Sequence, residues 1–243
     1  MSAATLAVNN VSQKAILSDS YINKLINPLP LFELYDQNAS QRKPIEAYIK
    51  QGFWINYHAD LSEFMPYLLT MHCFDQPSAT VGIRFAANSP LFLEHYLTQP
   101  VQAVLSHCMA TSVARDSIVE IGNLVATKKG ASQLIFLILA ALLEGIDIQW
   151  TIFTGTPQVQ KILSKLGFEI YVIGKADSSR LHPSIIDQWG TYYDTRPSIC
   201  AICPATAVEK AKQRHTLKAI LSLYQKPIMQ LVDGLKKAYS VQA

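Results

Sequence analysis

The stretch Asp116–Phe168, DSIVEIGNLVATKKGASQLIFLILAALLEGIDIQWTIFTGTPQVQKILSKLGF, decides the fold. Ile118–Val125 is a short apolar run rich in β-branched residues and Gln149–Phe153 is a second, so each predicts a strand buried on both faces. Between them Ala131–Leu143 carries no charge and is too long and too rich in Leu and Ala for a strand, which predicts a buried helix. Strand, helix and strand in this order make a crossover unit, the usual way of pairing two strands in parallel. The turn TKKGAS, Thr127–Ser132, then lies at the carboxyl end of the first strand and opens the helix.

A helix opening presents free main-chain N–H groups and the positive end of the helix dipole, which suits an anion such as a phosphate. Lys128 and Lys129 add charge there, and Gly130 lets the backbone approach a ligand because no Cβ stands in the way. On the turn alone, a tight bend with two solvated lysines accounts for the same residues. What adds weight is Glu120, which interrupts an otherwise apolar strand, because a buried carboxylate is costly unless paired, hydrogen-bonded or protonated. Gly122 and Asn123 follow it. A Gly inside a strand marks a bulge, which would splay this strand from its neighbour and open a slot beside Glu120. The rival reading makes Glu120 a surface residue or the partner of Arg84 or Arg115. Arg84, on a second apolar strand, seeks either that carboxylate or an anionic substrate.

These residues carry a resemblance. The order of elements, the phosphate-type turn after a strand and the ending KILSKLGF resemble the acyl-CoA N-acyltransferase (GNAT) superfamily. More closely, HADLSEFMPYLL, VGIRFAANSPLFLEHYL, IVEIGNLVA and WGTYYDTRP, spread over roughly residues 50–205, resemble the thermostable hemolysin family. More distantly the arrangement is similar to acyl-homoserine-lactone synthases, whose arginine after a glycine and whose glutamate on the next central strand fall on Arg84 and Glu120. The resemblance implies an α/β fold, a GNAT-like mixed central sheet whose pair of parallel strands is splayed by a β-bulge and flanked by helices. It implies an N-acyltransferase moving a fatty acyl group from a phosphopantetheine thioester, as acyl carrier protein or acyl-CoA, to the amine of a small acceptor. Glu120, Arg84 and Asn123 take the catalytic roles, Glu120 as proton acceptor and the main chain near Asn123 as oxyanion site. Val125, Lys128, Lys129, Gly130, Ala131, Ser132 and Thr154 take the donor.

Three departures qualify the implication. Gly122 and Asn123 replace the serine and arginine that follow the glutamate in the synthases, which removes support for S-adenosylmethionine as acceptor. Thr127 and Ser132 stand where the superfamily's pyrophosphate turn begins with Arg or Gln and ends with Gly or Ala, which favours a carrier-protein donor bearing a single phosphate. Leu163 replaces the tyrosine that serves as general acid in many relatives.

Composition sets the outer limits. A chain of 243 residues with 49% hydrophobic and 16% charged residues describes a core-rich folded protein rather than a disordered one. The net charge of +3 is mild and no basic block interleaved with aromatics appears, so nucleic acid is not expected as a partner. The opening MSAATLAVNNVSQK lacks a signal-peptide core, and Leu134–Leu143 is shorter than the ~20 residues a membrane span requires, so a cytoplasmic location is expected. No metal is expected: Cys200 and Cys203 form one close pair with no second pair nearby, and the cysteines read as reduced thiols.

Along the chain, residues 1–40 read as an N-terminal arm, 41–207 as the acyltransferase domain and 208–243 as a basic amphipathic helix or helices. Within the domain, Pro44 starts a helix, Phe53–Tyr57 predicts an aromatic strand, and Pro66–Cys73 with Ala79–Ala86 predicts an antiparallel hairpin. Pro90 suits a first helical turn and Pro100 a restart. Leu91, Phe92, Tyr96 and Leu97 are candidates for an acyl tunnel or plain core, and Glu94 and His95 are read as solvent-exposed. Pro157–Leu166 predicts a helix that Thr156 caps, and Glu169–Gly174 a further strand. Trp189, Tyr192 and Tyr193 read as packing over the sheet. The tail carries Lys210, Lys212, Arg214, Lys218, Lys226, Lys236 and Lys237 at helical spacing, fitting a solvated face or a dock for an acidic carrier or an anionic membrane surface. A membrane-active protein, and a non-catalytic acyl-binding module of the same fold, are the alternative functions.

Overall fold

Glu120 and the turn after it sit at the centre of a seven-stranded sheet of order β1-β2-β3-β4-β5-β7-β6. The structure is a computed structural model and describes residues 29–240. Its strands are β1 (Leu31–Tyr35), β2 (Tyr67–Cys73), β3 (Gln76–Phe85), β4 (Ile118–Ala126), β5 (Trp150–Gly155), β6 (Tyr171–Lys175) and β7 (Ser198–Ile202). The helices are α1 (Arg42–Tyr57), α2 (Val101–Met109), α3 (Ala131–Gly145), α4 (Pro157–Leu166), α5 (Pro183–Ile186), α6 (Pro204–Gln213), α7 (His215–Leu223) and α8 (Gln225–Ser240). A 3₁₀ turn, Phe92–Tyr96, precedes α2. Strands β4 and β5 are parallel, and every other neighbouring pair is antiparallel.

The crossover β4–α3–β5 forms as the apolar runs predict. From Ala131 to Leu143 most of α3 is buried. The helix packs on β2, β3 and β4 on one side and on α6, α7 and α8 on the other, which is why an uncharged helix is stable here. Each fully buried Ile or Leu, such as Ile135 or Leu142, contributes about 1.5–3 kcal/mol. The opposite face of the sheet is covered in two parts: α1 with the loop Ala59–Met65 over β2–β4, and the 3₁₀ turn, α2 and the segment Ala176–Tyr193 over β4–β7. The site lies where those two parts meet.

Several local expectations change. Phe53–Tyr57, expected as a strand, is the last turn of α1. Ile45, Ile49, Gly52 and Phe53 continue one buried helical stripe, and that periodicity outweighs the strand preference of aromatic residues. The helix stops at His58, whose φ of 54° is left-handed. The segment after Pro90 is the short 3₁₀ turn, and Pro100 is the N-cap that restarts the chain as α2. Strand β6 begins at Tyr171, later than expected, because Gly167 (φ 82°) first closes α4 and turns the chain. Most of the expected arm over residues 1–40 lies outside the described residues, while Leu31–Tyr35 is an edge strand on β2. The tail is divided into α6, α7 and α8. The hairpin β2–β3 and helix α4 form as expected, with Thr156 Oγ1 accepting the Val159 N–H at 3.3 Å.

Candidate active site

The site starts from one extra residue in β4. Strand β3 pairs Gly82 with Gly122 and Thr80 with Val125, so Asn123 and Leu124 together face Val81 alone. This is a β-bulge, and Asn123 takes its left-handed position at φ 50°. Pairing of β4 with β5 runs from Ile118↔Trp150 to Ile121↔Phe153 and ends there, so beyond the bulge the two parallel strands part. Gly82 and Gly122 form a flat spot on the sheet that Met65 crosses. A Cβ on Gly82 would meet Met65 Cβ at 2.5 Å, and one on Gly122 would meet Met65 Cε at 2.7 Å. Met65 is held from both sides. Its N–H donates to Asn123 Oδ1 at 2.8 Å, and the Arg42 guanidinium donates to Met65 O at 2.6 Å and Pro66 O at 2.8 Å.

The parted strands and the two covering parts enclose a cavity of about 330 Å³. Glu120, Arg84, Asn123 and Thr154 all line it, as do His95, Tyr57, Met65 and the aromatic rings of Phe53, Phe92, Tyr96, Trp189 and Tyr192. Trp189 stacks against Phe92, Tyr192 and Phe53 with ring centroids 5.6, 5.1 and 6.0 Å away, so the expected aromatic packing over the sheet forms the cavity wall. Phe92 and Tyr96 reach this space, whereas Leu91 belongs to the core beneath them. Tyr192 donates its hydroxyl proton to Thr154 O at 3.0 Å, which commits that phenol, and burial pushes its pKa up.

Glu120 is 3% exposed. Its Oε2 accepts the Phe92 N–H and its Oε1 the Leu93 N–H, both at 2.9 Å, and Arg84 Nη1 stands 3.7 Å from Oε2. Burial raises the carboxyl pKa. The Leu93 N–H, Arg84 and the Phe92 N–H act against that rise. Arg84 sits opposite Glu120 in the β3–β4 register and is near it without a hydrogen bond, so its donors remain available to the cavity. Arg115 does not pair with Glu120. It grips Glu94 with Nη1 at 2.7 Å and Nη2 at 2.9 Å, and Glu94 also accepts the Leu91 and Val101 N–H groups at 3.0 Å. Glu94 is therefore a half-buried clamp on both ends of the 3₁₀ turn rather than a solvated residue, and the Arg115 hydrogen bond pulls its pKa down to about 2.

The donor-side residues lie apart from the carboxylate. Gly130 adopts φ 84° and is the N-cap of α3, with no side chain capping the helix. Ala131 N–H is used by Lys128 O at 3.1 Å, and Ala131 is buried. Lys128 is exposed and lies over the Phe74 ring, 5.7 Å from its centroid. Val125 presents no side chain to a ligand. It packs under Gly52 of α1 and its strand position pairs with Thr80, leaving only main-chain groups to offer. The structure thus brings Glu120, Arg84, Asn123 and Thr154 around one space and leaves Val125 and Lys128–Ser132 beyond the bulge. Sequence reasoning missed Arg42, Met65 and Tyr57, while His95, read as solvent-exposed, is open to solvent and also lines the cavity. Of these, only Arg42 carried a signal, a basic residue at a helix start where the dipole disfavours it. Among the described residues no group of His, Cys, Asp and Glu converges as a metal site, and no helix is long and apolar enough to cross a membrane.

Bulge, splayed parallel pair and flanking helices define a GNAT-like α/β fold, and solved structures agree. The chain is similar to the acyl-homoserine-lactone (AHL) synthase LasI, at a TM-score of 0.50 and 15% identity over 72% of this chain and 90% of that one. It is similar also to the CoA-dependent acyl-homoserine lactone synthase BjaI solved with SAM and isopentyl-CoA, at a TM-score of 0.53 and 8% identity over 76% of this chain and 89% of that one. No curated protein matches the chain by sequence. Residues 35–208 match the thermostable hemolysin family, and the chain belongs to that family.

Proposed function

We propose that the protein is an N-acyltransferase that moves a fatty acyl group from a phosphopantetheine thioester to the amine of a small acceptor. One observation carries the reading: the cavity opened by the parting of β4 and β5 has a buried carboxylate and a guanidinium in its lining and is otherwise largely apolar and aromatic. A thioester donor needs a slot for its pantetheine arm, and main-chain groups left without strand partners beyond Ile121 and Phe153 can bind the arm's amides. The acyl chain suits the wall of Phe53, Phe92, Phe153 and Trp189. Glu120 supplies the negative charge against which an ammonium is bound and its proton lost, and Arg84 offers donors to a carbonyl or carboxylate of either substrate. Main-chain N–H groups near Asn123 serve the oxyanion.

The uncapped start of α3, with Lys128 and Lys129 before it, suits the donor's phosphate, and a carrier protein with one phosphate fits the turn better than the pyrophosphate of CoA. The fold likeness to a synthase solved with isopentyl-CoA supports a thioester donor in general. The lysis in the family's name is accounted for by a surface-active acylated product. Incubation with acyl-CoA and acyl-carrier donors and a broad amine panel should give acylated amines by mass spectrometry. Their absence across the panel would sink the reading, and haemoglobin release from red cells by purified protein without any donor would favour direct lysis and sink the account of lysis by an acylated product.

A further inference from the structure

The proposed transfer requires an atom that receives the acceptor's ammonium proton, and Glu120 is poorly placed to cycle it: it is 3% exposed and each oxygen already holds a main-chain N–H. His95 lies on the same cavity and is open to solvent. Its Nδ1 is 2.7 Å from Phe92 O. A carbonyl oxygen only accepts, so Nδ1 carries the hydrogen, and in the neutral ring Nε2 is then an unprotonated acceptor. Among the described residues nothing in the protein is hydrogen-bonded to Nε2.

The peptide group that fixes this tautomer is the one that binds Glu120. Phe92 C=O and Leu93 N–H are the two ends of a single amide, and Leu93 N–H donates to Glu120 Oε1 at 2.9 Å. Imidazole, amide and carboxylate are therefore in series. Negative charge on Glu120 polarises the amide and raises the electron density on Phe92 O, which strengthens its hydrogen bond to the ring and holds the ring in this tautomer and orientation. An acidic group fixes the tautomer and orientation of a histidine in hydrolytic triads, there by direct contact. The Glu94–Arg115 clamp holds the 3₁₀ turn in which this amide lies.

We infer that His95 Nε2 is the proton acceptor of the acyl transfer, with the Glu120 carboxylate supporting it through the Phe92–Leu93 amide. This inference rests on the acyltransferase reading and names the atom that reading leaves open. His95 Nε2 takes one proton from the acceptor's ammonium. The freed nitrogen pair then attacks the thioester carbonyl carbon, forming the C–N bond while the carbonyl pair moves to oxygen. Collapse breaks the C–S bond with its electrons on sulfur, the second excess proton on nitrogen passes to that sulfur, and the imidazolium returns its proton to solvent. The products are amide, thiol and one proton.

The test uses the full chain with octanoyl- and palmitoyl-CoA, the same acyl groups on an acyl carrier protein, and the amine panel. His95→Gln and His95→Ala should lower turnover roughly 10²-fold or more with donor KM unchanged, and added imidazole should restore part of the His95→Ala loss. Turnover of His95→Gln within twofold of the parent would overturn the inference while leaving acyl transfer standing, and so would a loss in His95→Ala that imidazole does not touch. A parent protein that acylates nothing would overturn the underlying reading and this inference with it.

Discussion

Glu120→Gln tests geometry and chemistry in one protein. The carboxylate holds two buried main-chain N–H groups, on Phe92 and Leu93, and glutamine keeps only one oxygen for them. Its NH₂ must face the other N–H, donor against donor, and an unsatisfied buried N–H costs about 1–3 kcal/mol. Arg84 loses its counter-charge as well. Its side chain is 20% exposed and can hydrate into the cavity, so this adds about 1 kcal/mol rather than the 3–5 of a fully buried pair. The sum, about 2–4 kcal/mol, corresponds to a fall in Tm of roughly 5–15 °C for a chain of this size. Turnover per folded molecule should fall by about 10²–10⁴-fold, with donor binding nearly unchanged. Thermal melting by circular dichroism and product formation by mass spectrometry, on the same preparation, read both. An unchanged Tm would refute the two hydrogen bonds as drawn, and normal specific activity of the folded fraction would refute any part for Glu120 in the reaction.

Two further outcomes follow from the partners of Glu94 and Asn123. The folded Glu94 carboxyl lies below its ordinary value, at about 2, so its contribution is present above the ordinary carboxyl range and is lost as pH falls toward 2. Glu94→Gln should thus cost about 2 kcal/mol at neutral pH after solvent screening, and a urea titration repeated at falling pH should show the gap between parent and variant closing. Asn123→Ala removes the acceptor of the Met65 N–H and leaves a Cβ residue at φ 50°, for about 2 kcal/mol in all, whereas Asn123→Gly should recover only the backbone share. Equal melting of the two variants would contradict that division.

What could be read in advance was set by residue type and period. A charge inside an apolar strand marked Glu120, Gly122 marked the bulge, and an uncharged Leu-rich run marked α3, because each is a local departure from a pattern with a physical cost. What could not be read was the identity of Glu120's partners. They are main-chain N–H groups 27 and 28 residues away, and every non-proline residue owns such a donor, so nothing in the letters distinguishes Phe92 and Leu93. Arg115 and Arg84 were equal candidates for the same reason: only the fold shows that Glu94 occupies the first. Arg42 was passed over at the start of the helix, yet it is 6% exposed and holds the carbonyls of Tyr35, Met65 and Pro66. Phe53–Tyr57 went wrong because four aromatic and β-branched letters in five, taken alone, outweighed a helical stripe that had begun eight residues earlier.

The bulge explains why fold and candidate site stand or fall together. A regular strand alternates its faces with period two, so if this sequence ran through without a bulge Val125 would point, like Val119 and Ile121, toward α3. With it, Leu124 packs on the α3 side and Val125 on the α1 side, where it fills the space left by Gly52. The same residue sends β4 away from β5, which makes the slot, and places Asn123 where its Oδ1 can capture Met65. Met65 in turn lies across Gly82 and Gly122 beside Glu120 and Arg84, and so forms one side of the charged end of the cavity. A substitution that straightened β4 would therefore not only close the slot. It would turn Val125 into the α3 core and free the Met65 segment from its anchor, so the slot cannot be closed by this route without disturbing the packing on both faces of the sheet.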